Sequence, residues 1–271
     1  SIPKMTFMAK FLSISSGSNG NCYYIGDEHT ALIVDAGIGF RTIKSRLAGA
    51  GVDISSVDMI FVTHDHVDHI RGLASLADRL SVPVYATAKL HDALMRHKAV
   101  GPSVGGSRRV LRPGYETEMR GIGCLAFEVP HDATQTLGYR LDFFGTRFVF
   151  MTDLGQVPAY VYELCAGADY LIIESNYDLD MLMEGSYPPD LKARIISECG
   201  HLSNSACASA VRRLWHPGLK GVFLCHLSKD NNTPSLAYDC TLHTLQSMGL
   251  SVPGDIRLEC LPRSEVFALD F

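Results

Sequence analysis

Apolar positions along the 271-residue chain follow two periods that alternate from one end to the other. Runs of apolar, β-favouring residues at 7–14, 22–25, 31–34, 59–62 and 82–86 predict strands. The helical period over 40–48, and over 70–80 through Leu73, Leu76, Ala77 and Leu80, predicts helices between them. The Gly- and Arg-rich stretch 101–123 reads as a loop with short strands. Strands are then predicted at 124–129, 137–143, 147–151, 170–174 and 221–225, with one or two more in the tail. Helices are predicted near 159–165 and over 190–199, 204–215 and 235–248. Helices placed between strands imply sheets covered on their outer faces. Two such halves, each presenting side chains from its strand ends, predict an α/β fold: a four-layered αβ/βα sandwich forming one domain over residues 1–271.

Composition changes this picture little. At 46% hydrophobic and 20% charged, the chain has ample material for a large core. A net charge of −5 gives no global attraction to a polyanion, so binding nucleic acid requires a local basic face. Arg108, Arg109, Arg112, Lys192, Arg194, Arg212 and Arg213 are the candidates, although Arg212 and Arg213 equally suit a solvated helix face. The eight cysteines form no Cys-x-x-Cys pair and lie mostly in apolar stretches, as expected of reduced thiols in a cytoplasmic protein. No run of about 18 apolar residues predicts a membrane span. The N-terminus has no signal-peptide layout, and residues 1–4 read equally as native or as a remnant.

The chemistry concentrates in the run His64-Asp65-His66-Val67-Asp68-His69, which leaves the strand at 59–62 through Thr63. Alternate residues on an extended segment share a face, so His64 and His66 point the same way. Asp68 and His69 open the following helix and turn toward a second point, where the helix dipole favours a carboxylate. Imidazole and carboxylate donors suit zinc, manganese and iron. Six residues cannot complete two coordination shells. His131, Asp153 and His226 each follow an apolar strand and are the candidates to complete them, with Asp132 beside His131.

This ordered set resembles the ligand motifs of the metallo-β-lactamase superfamily over most of the chain. The resemblance implies that His64, His66 and His131 hold one metal, that Asp68, His69 and His226 hold the other, and that Asp153 bridges them. Asp35, in Val34-Asp35-Ala36-Gly37, matches the superfamily's early aspartate and is expected to brace the ligand loop from behind. Cys225 precedes His226 and, pointing the opposite way on its strand, reads as core. Asp153 stands where lactam hydrolases carry a cysteine, which favours cleavage of phosphodiesters, thioesters or lactones. Glu174-Ser175-Asn176, Gly200-His201-Leu202-Ser203 and Leu224-Cys225-His226-Leu227-Ser228 are similar to the later motifs of RNase Z-like phosphodiesterases. There the histidine matching His201 is not a ligand but offsets phosphoryl charge or protonates the leaving oxygen. Ser203 is predicted to cap the helix at 204–215, placing His201 beside a positive helix end.

No long basic insertion suits a tRNA-gripping arm, and the interval from Asp153 to His226 is too short for the extra domain of RNase J-like enzymes. The strings Ser16-Gly17-Ser18-Asn19-Gly20-Asn21, Glu174-Ser175-Asn176-Tyr177 and His226-Leu227-Ser228-Lys229-Asp230-Asn231-Asn232 resemble most closely the small bacterial YycJ/WalJ (VicX) family. That resemblance implies a 5′→3′ DNA exonuclease using a metal-activated hydroxide, with two divalent ions (zinc or manganese, or else iron) per chain and a nucleic acid as partner. Asp68, Asp153 and His201 are then the expected catalytic residues. Ser16, Ser18, Asn19, Asn21, Lys229, Asn231 and Asn232 are candidate phosphate contacts, read equally well as turn chemistry. The rival readings are hydrolysis of RNA or of a small lactone or thioester, and a non-catalytic regulatory protein that retains its metal. The full ligand set argues against the last, since structural zinc sites are normally closed and mononuclear.

Overall fold

A computed structural model describes residues 8–271; residues 1–4 and Phe7, where the first strand was expected to begin, lie outside the described residues. The chain divides into two compact units, Ser1–Val110 with Ser264–Phe271, and Leu111–Arg263.

The first unit is built on β1 (Lys10–Ser15), β2 (Cys22–Gly26), β3 (Ala31–Val34), α1 (Phe40–Gly49), β4 (Met59–Phe61), α2 (Val67–Ile70), α3 (Leu73–Leu80), β5 (Val84–Thr87), α4 (Ala88–Arg96) and β6 (Arg108–Leu111). The last strand of the chain, β14 (Phe267–Asp270), pairs with β1, giving the order β14-β1-β2-β3-β4-β5-β6. Pairing is antiparallel from β14 to β3 and parallel from β3 to β5. The helix expected over 70–80 is two helices. The backbone N–H of Gly72 leaves the helical ladder and donates to Ala36 O at 2.7 Å, which ties the ligand segment to the end of β3. Helix α4 was not anticipated, although its start is marked by Thr87, whose hydroxyl accepts from Leu90 N.

The second unit runs β7 (Glu116–Met119), β8 (Ile122–Val129), β9 (Thr136–Phe143), β10 (Thr146–Met151), α5 (Ala159–Leu164), β11 (Tyr170–Glu174), α6 (Leu179–Glu184), α7 (Pro189–Ile196), α8 (Asn204–Leu214), β12 (Gly221–Cys225), α9 (Pro234–Ser247) and β13 (Arg257–Cys260). Its sheet, β13-β12-β11-β10-β9-β8-β7, is parallel from β13 to β10 and antiparallel beyond. Parallel strands are buried on both faces, which is why β11 and β12 read as unbroken apolar runs and are buried at every residue. Val149, Leu171, Ile173, Val222 and Leu224 pack with Cys207, Val211 and Leu245 of α8 and α9. In register, β10, β11 and β12 all end at one edge, so Asp153, Glu174 and His226 emerge together.

Two strand ends at the candidate site carry non-glycine residues in the left-handed region: Asp35 with φ 60° and His226 with φ 53°. Side chains rarely adopt this backbone unless their surroundings hold it.

Candidate metal centre

In the first unit the ligand run leaves β4, and His66 sits at the start of α2, with Asp68 in its first turn. The rings of His64 and His69 lie 4.1 Å apart and those of His64 and His66 4.8 Å apart. Their tautomers follow from their partners. The fully buried Asp35 carboxylate accepts from Thr63 N at 2.8 Å and from Thr63 Oγ1 at 2.7 Å, and His69 Nδ1 lies 2.6 Å from it. A carboxylate only accepts, so His69 carries its proton on Nδ1. Thr63 Oγ1 donates its one O–H to Asp35 and therefore accepts from His64 Nδ1 at 2.9 Å. Both rings thus carry the Nε2 lone pair a metal requires, that of His69 accepting here from Asn21 Nδ2 at 3.1 Å. Asp68 Oδ2 stands 3.7 Å from His69 Nε2.

Backbone contacts hold this segment from behind. Asn21 N donates to Asp68 O at 2.7 Å and Ala36 N to His69 O at 2.9 Å. A Cβ on Gly37 would lie 1.7 Å from Asp68 O, so no other residue fits there. Asn21 is wholly buried, and its amide reaches Gly17 O at 3.0 Å and His69 Nε2 at 3.1 Å.

In the second unit Asp153, Glu174, His201 and His226 each offer a donor atom within 4.8 Å of the others. Glu174, at the end of β11, is fully buried. Its Oε2 accepts from Leu154 N at 3.1 Å and Leu202 N at 3.0 Å. Its Oε1 accepts from His201 Nδ1 at 2.6 Å and His226 Nδ1 at 2.9 Å. Both oxygens are therefore engaged, and the carboxylate orients two imidazoles whose Nε2 atoms face away from it. His131, after β8, donates from Nδ1 to Gly200 O at 2.8 Å, which again leaves Nε2 as the candidate donor atom for a metal. His226 Nδ1 also lies 3.2 Å from Asp153 Oδ1.

Electrostatics separates the histidines. Burial pushes the His131 pKa down, keeping it neutral and ligand-competent. Burial opposes the charged form of His201 too, but the Glu174 carboxylate outweighs it by attraction and hydrogen bonding, and the His201 pKa is raised. Burial alone would raise the Glu174 pKa; the charge of His201 and hydrogen bonds from both imidazoles lower it instead. His201 is thus biased toward imidazolium and His131 toward imidazole. Neutral Nδ1–H imidazoles with carboxylates fit divalent zinc, manganese or iron as a donor set.

The turn after Asp153 meets the turn before His201. A Cβ on Gly155 would lie 2.1 Å from Glu198 O, and Gly155 N donates to Pro130 O, next to His131, at 2.8 Å.

The candidate substrate contacts divide by burial. Ser18, Asn19 and Lys229 are exposed, whereas Ser16, Asn21, Asn231 and Asn232 are buried. Ser16 Oγ hydrogen-bonds Tyr23 OH at 3.0 Å. Ser203 caps α8 as expected, accepting from Ala206 N, and Cys225 is core. The basic candidates are scattered among local partners. Arg108 pairs with Asp92 and Arg194 with Asp132, Arg112 lies over Tyr115 and Arg213 over Tyr162, and Arg212 donates to Ser247. Glu174, Thr63, Asn176 and Asn204 received no individual role from the sequence. A carboxylate closing the apolar run Tyr170–Glu174 was the available signal, since a buried charge needs partners.

Residues 30–226 match the β-lactamase superfamily domain, and the chain belongs to that superfamily. The metallo-β-lactamase fold protein YhfI from Bacillus subtilis shares its fold, with a TM-score of 0.68 at 16% identity, covering 96% of this chain and 99% of that one. The chain is 34% identical over 249 residues to the exodeoxyribonuclease WalJ of Streptococcus pneumoniae serotype 2, covering 92% of this chain and 93% of the relative. It is 34% identical over 242 residues to the exodeoxyribonuclease YycJ of Bacillus anthracis, covering 89% and 91%. Within the superfamily this chain is a member of the WalJ/YycJ family.

Proposed function

We propose that this protein is a metal-dependent phosphodiesterase that degrades DNA from the 5′ end. The observation that carries the reading is Glu174 gripping two imidazoles with one oxygen: His226, aimed as a ligand, and His201, held toward its charged form. Following the ligand order of the superfamily, His64, His66, Asp68, His69, His131, Asp153 and His226 are the residues that would hold divalent ions. Bound ions of this kind lower the pKa of water toward 7 from 15.7 and offset phosphoryl charge. Asp153 accepts the proton of the attacking water. His201, through Nε2, donates to the phosphoryl or leaving oxygen as negative charge builds there. Exposed Ser18, Asn19 and Lys229 are the contacts offered to the phosphate backbone. None of the eight cysteines is joined in a disulfide. No helix among the described residues is long and apolar enough to cross a membrane.

The test is degradation of 5′-labelled duplex DNA, single-stranded DNA and RNA with added manganese or zinc. Metal-dependent release of short products from DNA 5′ ends, lost in Asp153→Ala and reduced roughly 10²–10³-fold in His201→Ala, is expected. No cleavage of any nucleic acid by the fully metallated chain would overturn the reading and turn attention to lactones and thioesters.

A further inference from the structure

Behind Glu174 and His226 lies a second, wholly amide network. Asn176 donates from Nδ2 to His226 O at 2.8 Å. Its own carbonyl accepts from Ser228 N at 2.7 Å and from Asn232 Nδ2 at 3.1 Å. Asn232 Nδ2 also reaches Ser175 O at 3.0 Å. Asn204, the first residue of α8, exchanges hydrogen bonds with Asn232 in both directions at 2.9 Å, and its Oδ1 accepts from Ser175 Oγ at 2.7 Å. Asn176, Asn204 and Asn232 are all more than nine-tenths buried. They join three segments: the end of β11 carrying Glu174, the start of α8 following His201, and the loop after β12 that opens with His226.

The chemistry explains why amides occupy all three positions. A buried polar group must be satisfied, and each carboxamide here uses a donor and, in Asn204 and Asn232, an acceptor as well. Aspartate has no N–H to give, and an apolar residue would strand the carbonyls of residues 175 and 226. The His226 carbonyl needs this partner because its residue sits at φ 53°, turned out of the direction a continuing strand would give it.

We propose that Asn176, Asn204 and Asn232 are positioning residues: a buried amide clamp that fixes the His226 loop, and with it the aim of the His226 and His201 imidazoles, against Glu174. Asn232, expected from the sequence to contact phosphate, acts here through the ligand loop. Where the clamp bears on catalysis it rests on the phosphodiesterase reading; where it bears on metal affinity it does not.

Full-length Asn176→Asp and Asn232→Asp, which keep shape while removing the donor, decide it by titration with manganese and with zinc, by kcat and KM on 5′-labelled duplex DNA, and by thermal unfolding. The expected result is a metal affinity weakened about 10–100-fold for the ion held by His226 and a fallen kcat, with KM within about twofold of the parent. Raised KM with unchanged metal affinity would make these residues substrate contacts and overturn the proposal. So would a lowered melting temperature with metal affinity and kcat per folded molecule unchanged. Should Asn176→Asp not fold, Asn204→Ala, one step further from His226, is expected to move metal affinity the same way by a smaller factor, and an unaltered affinity there overturns the clamp. A parent chain that binds metal yet cleaves no nucleic acid would end the nuclease reading and leave the clamp to be judged on the titration alone.

Discussion

A lone carboxylate at the end of an apolar strand is costly to bury, and Glu174 offsets that cost with two backbone N–H groups and two imidazoles. Glutamine in its place keeps the size but brings an NH2 group against at least one N–H donor. Glu174→Gln is expected to weaken metal binding about 10–100-fold, as loss of a ligand's supporting carboxylate commonly does, and to lower kcat. Metal titration and steady-state kinetics check it; unchanged affinity together with unchanged kcat would mean that the two imidazoles hold their aim without the charge. The histidine run was legible in the sequence because its members are contiguous and a strand announces them. Glu174 was not, because its partners lie 20, 27, 28 and 52 residues away along the chain, and only the parallel register of β11 and β12 brings His226 beside it.

At the scale of elements, most strands and helices were legible from period alone, since β10, β11 and β12 are bounded by the turn residues that end them. The exceptions have local causes. Helix α4 follows β5 without a break, so the apolar stripe of Leu90, Ala93 and Leu94 falls where the sequence reading assigned no element. Helix α6 is six residues long with one buried side chain, too short to show a period. Helix α4 also carries a pH dependence unrelated to the metal site. His91 is buried and its Nε2 donates to Arg109 O at 2.9 Å; burial lowers its pKa below the ordinary 6.5. The unfolded chain then binds the extra proton first, so His91 costs no stability above pH about 6.5 and destabilises progressively as pH falls below it, by at most about 1.4 kcal/mol per pH unit. His91→Gln, which retains a donor for Arg109 O, is expected to lose less stability than the parent between pH 7 and pH 5 in urea unfolding. Equal losses would rule His91 out as a source of acid sensitivity.

For the whole molecule, the order of candidate ligands along the chain said more than any single residue: His64 to His69, then His131, Asp153 and His226, each at a strand end, resembles a superfamily pattern and is spread over two sheets. Two halves were read from the alternation of elements, but the boundary between them was not legible, because no linker composition marks Val110 or Leu111, which lie inside β6. A ligand that binds only the folded chain stabilises it by mass action, by about 2.7 kcal/mol at a hundredfold excess over its Kd. Chelation is therefore expected to lower the unfolding midpoint and re-addition of manganese or zinc to restore it. A midpoint indifferent to chelator, in protein shown by elemental analysis to start with metal, would count against a site made in the folded state.

The close approach of Gly155 to Glu198 has a bearing on how this enzyme can change. Position 155 carries no side chain, yet even a methyl group there must push the turn after Asp153 away from the turn before His201. The hydrogen bond from Gly155 to Pro130 carries the same displacement toward His131. Three chemical groups are thereby geared together through one residue without a side chain. Variation that retunes one of them by moving its loop must move the others as well, whereas the side chains of the exposed turns around Ser18 and Lys229 can be exchanged with the gearing left intact.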